Sequence, residues 1–157
     1  MSKLITENDV AADFFWIDYL CRIAKKQVID VPIVACAVAD NYRLIASAVN
    51  STVAKNDPCA HAEIELLRSV SNYYGNYRLD GITIYVNLEP CLMCYGALLH
   101  ARVGRLVFGC ADSKFGVLSR HFGLHEHGSL NHKFAWRGNV RQEKCTDIIR
   151  QFFIWKR

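Results

Sequence analysis

Nothing in this sequence is long and apolar enough to cross a bilayer: the longest apolar run, residues 31–39, falls well short of the ~18–20 residues a membrane-spanning helix needs. The opening MSKLITENDV lacks the apolar core of a secretory signal, so export is not expected. An excess of one charge sign is also lacking. Lys and Arg total 19 against 15 Asp and Glu, and the formal net charge of +4 permits an acidic partner without demanding one. Seven cysteines are an odd number for a disulfide framework; they are expected to stay reduced in the cytoplasm, where thiols remain available to a metal. Internal repeats, low-complexity tracts and linker-like stretches are absent too. That leaves one domain over residues 1–157, whose 52% hydrophobic content suffices for an ordinary core.

Charge is unevenly placed. From Lys133 to Arg157 there are seven Lys or Arg against Glu143 and Asp147, whereas residues 1–30 carry four basic and five acidic side chains. The C-terminal end is therefore the expected site of any acidic partner.

Apolar residues at Val10, Phe14, Ile17, Leu20, Cys21 and Ala24 predict a helix over 8–27 with one buried face, ended by Pro32. Two β-type runs, 33–39 and 43–49, flank the turn signal Asp40-Asn41 and predict a hairpin. After a polar stretch from Asn50 to Pro58, a helix is predicted over 61–74 and a strand over 82–87. Pro90 suits the first turn of a helix over 91–101, because its missing amide hydrogen would go unpaired there. A strand over 105–109 follows. Residues 110–132 hold three glycines and four histidines without clear periodicity, which predicts a surface excursion with at most a short helix. A weak strand near 134–140 and a helix over 142–155 close the chain. Strands alternating with helices after a hairpin imply an α/β domain with a mixed sheet covered by helices.

The chemistry lies at two predicted helix starts, His61-Ala62-Glu63 and Pro90-Cys91-Leu92-Met93-Cys94. Cys91 and Cys94 are three apart, so on a helix they share a face and can grip one ion. A helix N-terminus favours thiolate over thiol. His61 and Glu63 cannot both point inward from an ideal helix. If His61 sits at the mouth of the helix, its ring can reach over the end while Glu63 projects from the first turn. One His and two Cys are three protein ligands for zinc, which leaves a fourth position open to water, the arrangement of catalytic sites. Two thiolates cancel the formal charge of zinc, so a nearby base gains importance, and Glu63 is the candidate to shuttle protons in a hydrolytic deamination.

These segments resemble the His-x-Glu and Pro-Cys-x-x-Cys signature of the zinc nucleobase deaminases. The similarity is closer to the bacterial tRNA-specific adenosine deaminases. It runs from Asp57-Pro58 and Ala60-His61-Ala62-Glu63-Ile64 through Asn76-Tyr77-Arg78-Leu79, Tyr85-Val86, Leu88-Glu89-Pro90-Cys91, Met93-Cys94 and Gly96-Ala97. It continues to His100, Arg102, Val107-Phe108-Gly109, Asp112, Lys114, Gly116 and Asn131-His132. The resemblance implies a three-layer cytidine-deaminase-like fold with a mixed five-stranded sheet and helices on both faces, and one zinc per subunit. It implies deamination of a wobble adenosine to inosine in a tRNA anticodon stem-loop, by a homodimer. It carries over Asn50 as a contact to the flipped base, with the backbone near Ala62 and Val34 completing the pocket. Asp112, Lys114 and the aromatic end of the last helix, Phe153 included, become RNA contacts.

Plainer readings stand beside these. A Cys-x-x-Cys pair alone also suits redox chemistry, though redox sites lack the upstream His-x-Glu. Cys59 can close a structural zinc site as a fourth ligand, which would leave Glu63 without a role. A deaminase of a free base or nucleoside of the guanine or cytosine type would use the same metal chemistry. A zinc-stabilised RNA-binding module without catalysis would need four protein ligands. Asn50 alone reads as a turn residue, Asp112 and Lys114 as a solvated loop, and His121, His125 and His127 as a polar surface loop rather than a metal cluster. Phe152, Phe153 and Trp155 read as helix packing, and Cys21, Cys36 and Cys145 as small buried apolar residues.

Overall fold

The structure is a computed structural model that describes residues 5–120 and 122–156. The first helix, α1 (Glu7–Ala24), begins at a reciprocal cap: the Thr6 hydroxyl accepts from the Asp9 amide at 3.2 Å while the Asp9 carboxylate accepts from the Thr6 amide at 2.8 Å. It stops at Ala24, well before Pro32, because the amides of Lys26 and Gln27 tighten onto the carbonyls of Ile23 and Ala24. Proline is therefore not its terminator. β1 (Val34–Val38) and β2 (Leu44–Val49) form the expected hairpin, turned through Tyr42 in the left-handed region. The polar stretch beyond it, for which the sequence predicts no element, holds a short helix α2 (Thr52–Lys55).

Next come α3 (Ala62–Tyr74), β3 (Thr83–Leu88), α4 (Leu92–His100) and β4 (Arg105–Cys110), each within a residue of its predicted bounds. Pro90 lies one residue before the cap of α4 rather than inside its first turn, since Cys91 is the cap. The excursion beyond β4 holds a short helix, α5 (Phe122–Glu126), as expected. β5 (Ala135–Arg137) is shorter than the predicted 134–140, and α6 (Gln142–Trp155) matches its prediction.

The five strands form one sheet in the order β2-β1-β3-β4-β5, antiparallel across β2, β1 and β3 and parallel across β3, β4 and β5. Parallel neighbours need long crossovers; α4 supplies one, and residues 111–134 supply the other. Leu66, Leu67 and Val70 of α3 with Tyr95 and Leu98 of α4 cover one face. Trp16, Ile17 and Leu20 of α1 with Cys145 and Ile148 of α6 cover the other. The strands alternate between the two cores: Ala35, Ala37, Ile84, Val86, Leu106 and Phe108 face α3 and α4, whereas Val34, Cys36, Val38, Tyr85 and Val107 face α1 and α6. β1 is buried at every position for that reason, and its sequence VACAV shows no polar alternation. The expected three-layer α/β architecture is thus present, with Cys21, Cys36 and Cys145 buried among apolar neighbours. Among the described residues, no helix is long and apolar enough to cross a membrane.

One ionic cluster ties α1 to the sheet. Asp13, fully buried, accepts both terminal nitrogens of Arg105 at 2.7 and 2.8 Å, Arg137 at 2.9 Å and the Tyr85 hydroxyl at 3.1 Å. Two cations on β4 and β5 and a phenol on β3 thus converge on one carboxylate. Removing it strands buried positive charge, so Asp13→Ala is expected to lower the unfolding free energy by about 3–5 kcal/mol. Urea denaturation measures this directly, and a loss under about 1 kcal/mol would show the cluster to be dispensable.

Candidate metal centre and active-site cleft

His61 and Cys91 occupy equivalent places, each the cap residue of a helix. His61 precedes α3 with φ −67 and ψ 152, and Cys91 precedes α4 with φ −73 and ψ 172. Neither side chain makes a capping hydrogen bond. The extended cap conformation resolves the difficulty of the His-x-Glu spacing, because the imidazole leaves the chain before the helical twist begins. Glu63 then projects from the first turn of α3, nearly fully buried at 3% exposure. Cys94 lies in the first turn of α4.

The Nδ1 atom of His61 stands 3.7 Å from Cys91 Sγ and 3.6 Å from Cys94 Sγ. All three donor atoms lie within 4.8 Å of one another. Zinc bonds of ~2.3 Å to sulfur and ~2.0 Å to nitrogen, set at tetrahedral angles, require N···S separations of about 3.5 Å. The donor set therefore fits zinc in both chemistry and spacing. Among the described residues this metal-ligating group has three members, and Cys59 is not one of them; it is exposed on the preceding loop.

Burial and the two helix N-termini shape the protonation of the site. The Cys94 thiol, donating to Cys91, draws Cys91 down to about 5 against the opposing effect of burial, with the amides of Cys94 and Met93 and the nearby His61 assisting. Cys94 is pushed up by that same bond and by burial. One proton is shared where a metal ion would replace it. Burial raises the Glu63 carboxyl to about 7, with the Cys91 thiolate adding to the rise and its backbone amide and His61 opposing it. A carboxyl poised there is suited to take and return protons near neutral pH.

These groups open onto a cleft of about 770 Å³, whose walls include Ile33, Asn50, Thr52, Glu89, Lys114 and Phe153. Asn50 is buried at the cleft wall. Ala62 is the first residue of α3, where the amide has no intrahelical partner. Val34 does not line the cleft. Its side chain packs into the α1 face, and its amide donates to Asn87 Oδ1 at 2.8 Å. Ile33, one residue earlier, lines the cleft instead. Asp112 lines the wall, but its Oδ1 accepts the amides of Lys114 and Phe115 at 2.8 and 3.1 Å and so shapes its own loop. Lys114 is exposed at the rim. Phe153 is half exposed and lines the cleft while Trp155 is exposed; the expectation that they pack into the core is not met, since the buried residues of α6 are Cys145 and Ile148.

The histidines of the 110–132 region do not group as metal ligands among the described residues. His125 is buried with Nδ1 2.9 Å from the Tyr95 hydroxyl, and His127 pairs with Ser129. His121 lies outside the described residues.

Two buried carboxylates that organise the cleft carry no spacing signal of their own. Glu89 accepts the Asp112 amide at 3.0 Å and both the amide and hydroxyl of Ser119 at 2.6 Å, clamping the loop that carries Lys114 and Phe115. Gly116 passes so close that a Cβ there would lie 2.6 Å from the Asp112 carbonyl oxygen and against the Glu89 carboxylate. Asp30 accepts from Val53, Ala54, Thr52 and Asn50. An acidic residue beside the Pro-Cys motif was the signal available for Glu89; Asp30 had none.

Residues 15–110 match the cytidine and deoxycytidylate deaminase zinc-binding region. The chain is 39% identical over 128 residues to a tRNA-specific adenosine deaminase of Haemophilus influenzae, covering 82% of this chain and 74% of that one. A solved structure from work on A-to-I editing by tRNA:A34 deaminases at the wobble position of transfer RNA superposes with a TM-score of 0.75 at 31% identity, over 83% of this chain and 99% of that one. A guanine deaminase from Nitrosomonas europaea shares the fold with a TM-score of 0.74 at 20% identity, over 97% of this chain and 94% of that one. With this match across the metal site and most of the sheet, the chain belongs to the cytidine and deoxycytidylate deaminase zinc-binding family and, within it, to the tRNA-specific adenosine deaminases.

Proposed function

We propose that this chain deaminates adenosine to inosine by hydrolysis at the wobble position of a tRNA anticodon. The observation that carries the reading is a three-donor metal site beside a buried carboxyl, opening onto a cleft, in a chain whose relatives bear that activity in their names. His61, Cys91 and Cys94 are the residues that would hold zinc. When bound, zinc supplies a Lewis acid that makes water acidic enough to give up a proton near neutral pH. The Glu63 carboxylate takes that proton and hands it to the ring nitrogen as the hydroxide oxygen adds to the amidine carbon; it then takes the remaining hydroxyl proton as the carbonyl forms and gives it to the amino group, which leaves as ammonia. Asn50 contacts the base, while Lys114, Asp112 and Phe153 meet the RNA at the rim. An anticodon base already sits in a loop, so extruding it costs little.

The basic C-terminal end contributes less free charge than the sequence implies. Arg141 and Lys144 are engaged by Asp18, Arg137 by Asp13, Arg150 by Asp147 and Lys133 by Glu126. RNA affinity on this reading comes mainly from the cleft rim. Cytoplasmic location is part of the proposal, supported by seven free thiols of which two serve the metal site. A homodimer is part of it too. Leu92, Met93, Phe115 and Leu124 are exposed along one apolar surface beside the metal site, area that a second copy would cover. Light scattering should return twice the 17.9 kDa chain mass; a monomer at micromolar concentration would remove the dimer from the account.

The zinc-loaded protein should form inosine in an adenosine-bearing anticodon stem-loop and leave free adenine, guanine and cytosine unchanged. Binding should weaken with salt by a log-log slope of about 0.9 or somewhat less per phosphate contact. Turnover of a free base with no salt dependence would instead establish a small-molecule deaminase. Glu63→Gln should keep its zinc and lose at least ~10²-fold in rate. The same variant tests the carboxyl's environment in metal-stripped protein. Its folded value near 7 exceeds the ordinary 4.5, so its contribution to stability is retained below the ordinary value and lost as pH rises through the folded one. Melts of stripped wild type and variant should coincide at about pH 4 and separate at about pH 8, with the variant melting higher.

A further inference from the structure

The side-chain amide of Asn50 has two orientations of nearly equal shape, and its neighbours decide which end faces which way. Here Nδ2 donates to Asp30 Oδ1 at 3.3 Å and to Thr52 Oγ1 at 3.2 Å. Thr52 Oγ1 itself donates to the same Asp30 oxygen at 3.0 Å, so the hydroxyl and the carboxylate present one continuous acceptor surface. Asp30 is buried at 4% exposure. Burial pushes its carboxyl up, but the amides of Val53 and Ala54 and the Thr52 hydroxyl outweigh that and hold it below the usual carboxylate range. It is thus an acceptor and nothing else. Turning the Asn50 amide over would set its carbonyl oxygen against a charged oxygen in a buried site, where the repulsion is poorly screened.

Asp30 also stands in for a missing cap. Ser51, the cap residue of α2, makes no side-chain bond to the helix, whereas Asp30 accepts the Val53 amide at 2.7 Å and the Ala54 amide at 3.2 Å. The chain leading to β1 is itself pinned, because Asn87 accepts the Val34 amide and donates to the Pro32 carbonyl, each at 2.8 Å. Asn50 closes this frame by donating its own amide to the Ile33 carbonyl at 2.9 Å. Asp30 is therefore bonded to the start of α2, the chain that follows it is tied to β3, and its own side chain does not line the cleft. Asn50 and Thr52 do.

We propose that Asp30 is a positioning residue that fixes the donor and acceptor ends of the Asn50 amide and so sets the hydrogen-bonding pattern the cleft offers to a nucleobase. The inference rests on the deaminase reading above and adds to it the residue that selects among bases of similar shape. Fixed polarity matters because a wrongly paired polar group in a closed site is penalised far more than a missing methylene.

The test is a double-mutant cycle in the zinc-loaded protein on the anticodon stem-loop, with zinc content and melting temperature recorded for every variant. Asp30→Asn is nearly isosteric and replaces one acceptor with a donor, so it should lower kcat/KM by about 10-fold, the effect of a lost hydrogen bond to a charged group. Asn50→Ala should lower it at least as much. Combined with Asn50→Ala, Asp30→Asn should cost no more than about twofold further. Asp30→Glu, which keeps an acceptor, should recover most of the loss. If Asp30→Asn fails to fold, Asp30→Glu in the wild-type and Asn50→Ala backgrounds gives the cycle, with a loss of a few-fold expected only in the first. Equal losses in both backgrounds would assign Asp30 to the fold alone and overturn the proposal, as would an Asp30→Asn variant that folds with unchanged kcat/KM. Wild type that binds zinc yet forms no inosine in RNA would instead overturn the deaminase reading itself.

Discussion

Two helices begin at the same place, and the chemistry of this protein follows from that constraint. α3 and α4 are neighbours on one face of the sheet, and their cap residues, His61 and Cys91, leave the chain in extended conformations that bring two donors together. Cys94, one helical turn into α4, supplies the third, and all three atoms stay within 4.8 Å. Both helix dipoles point their positive ends at the spot where thiolates are needed. The same geometry sets Glu63 beside the metal site in a setting dry enough to raise its carboxyl to about 7. A zinc site with three protein donors and a neighbouring proton carrier is thus a consequence of where two helices start.

Buried carboxylates do the rest of the positioning. Asp13 binds α1 to three strands through Arg105, Arg137 and Tyr85. Glu89 clamps the loop from Asp112 to Ser119 beside the cleft, and Asp30 holds α2 and Asn50 at another part of its wall. Each satisfies several donors at once, which is what allows an ionised group to remain out of water. Part of the cleft wall is therefore backbone tied to Glu89 and Asp30, and part is the face of α6 that carries Thr146, Ile149, Arg150 and Phe153.

The fold was largely legible because its signals are local and periodic. Helix and strand bounds for α3, β3, α4, β4 and α6 follow from hydrophobic spacing that two covered sheet faces impose. The metal ligands were legible for a similar reason: each motif sits within one turn of a helix start. What escaped depends on partners distant in sequence. Asp30 meets Asn50 and Val53 across 20 and 23 positions of loop and hairpin, and the short α2 it caps has too few residues to show a period. The basic C-terminus appeared free because a linear count of charge cannot see α1, whose Asp13 and Asp18 engage Arg137, Arg141 and Lys144. Val34 and Ile33 differ by one position, and in an extended chain one position exchanges the face a side chain presents.

The coordination sphere decides whether this architecture is catalytic. X-ray absorption on the purified, zinc-loaded protein reads it directly. One zinc per chain bound by two sulfurs at ~2.3 Å and by two lighter atoms, one of them histidine nitrogen and the other from solvent, is the predicted result. A third sulfur, with Cys59 drawn in from its exposed loop, would close the site and contradict the account.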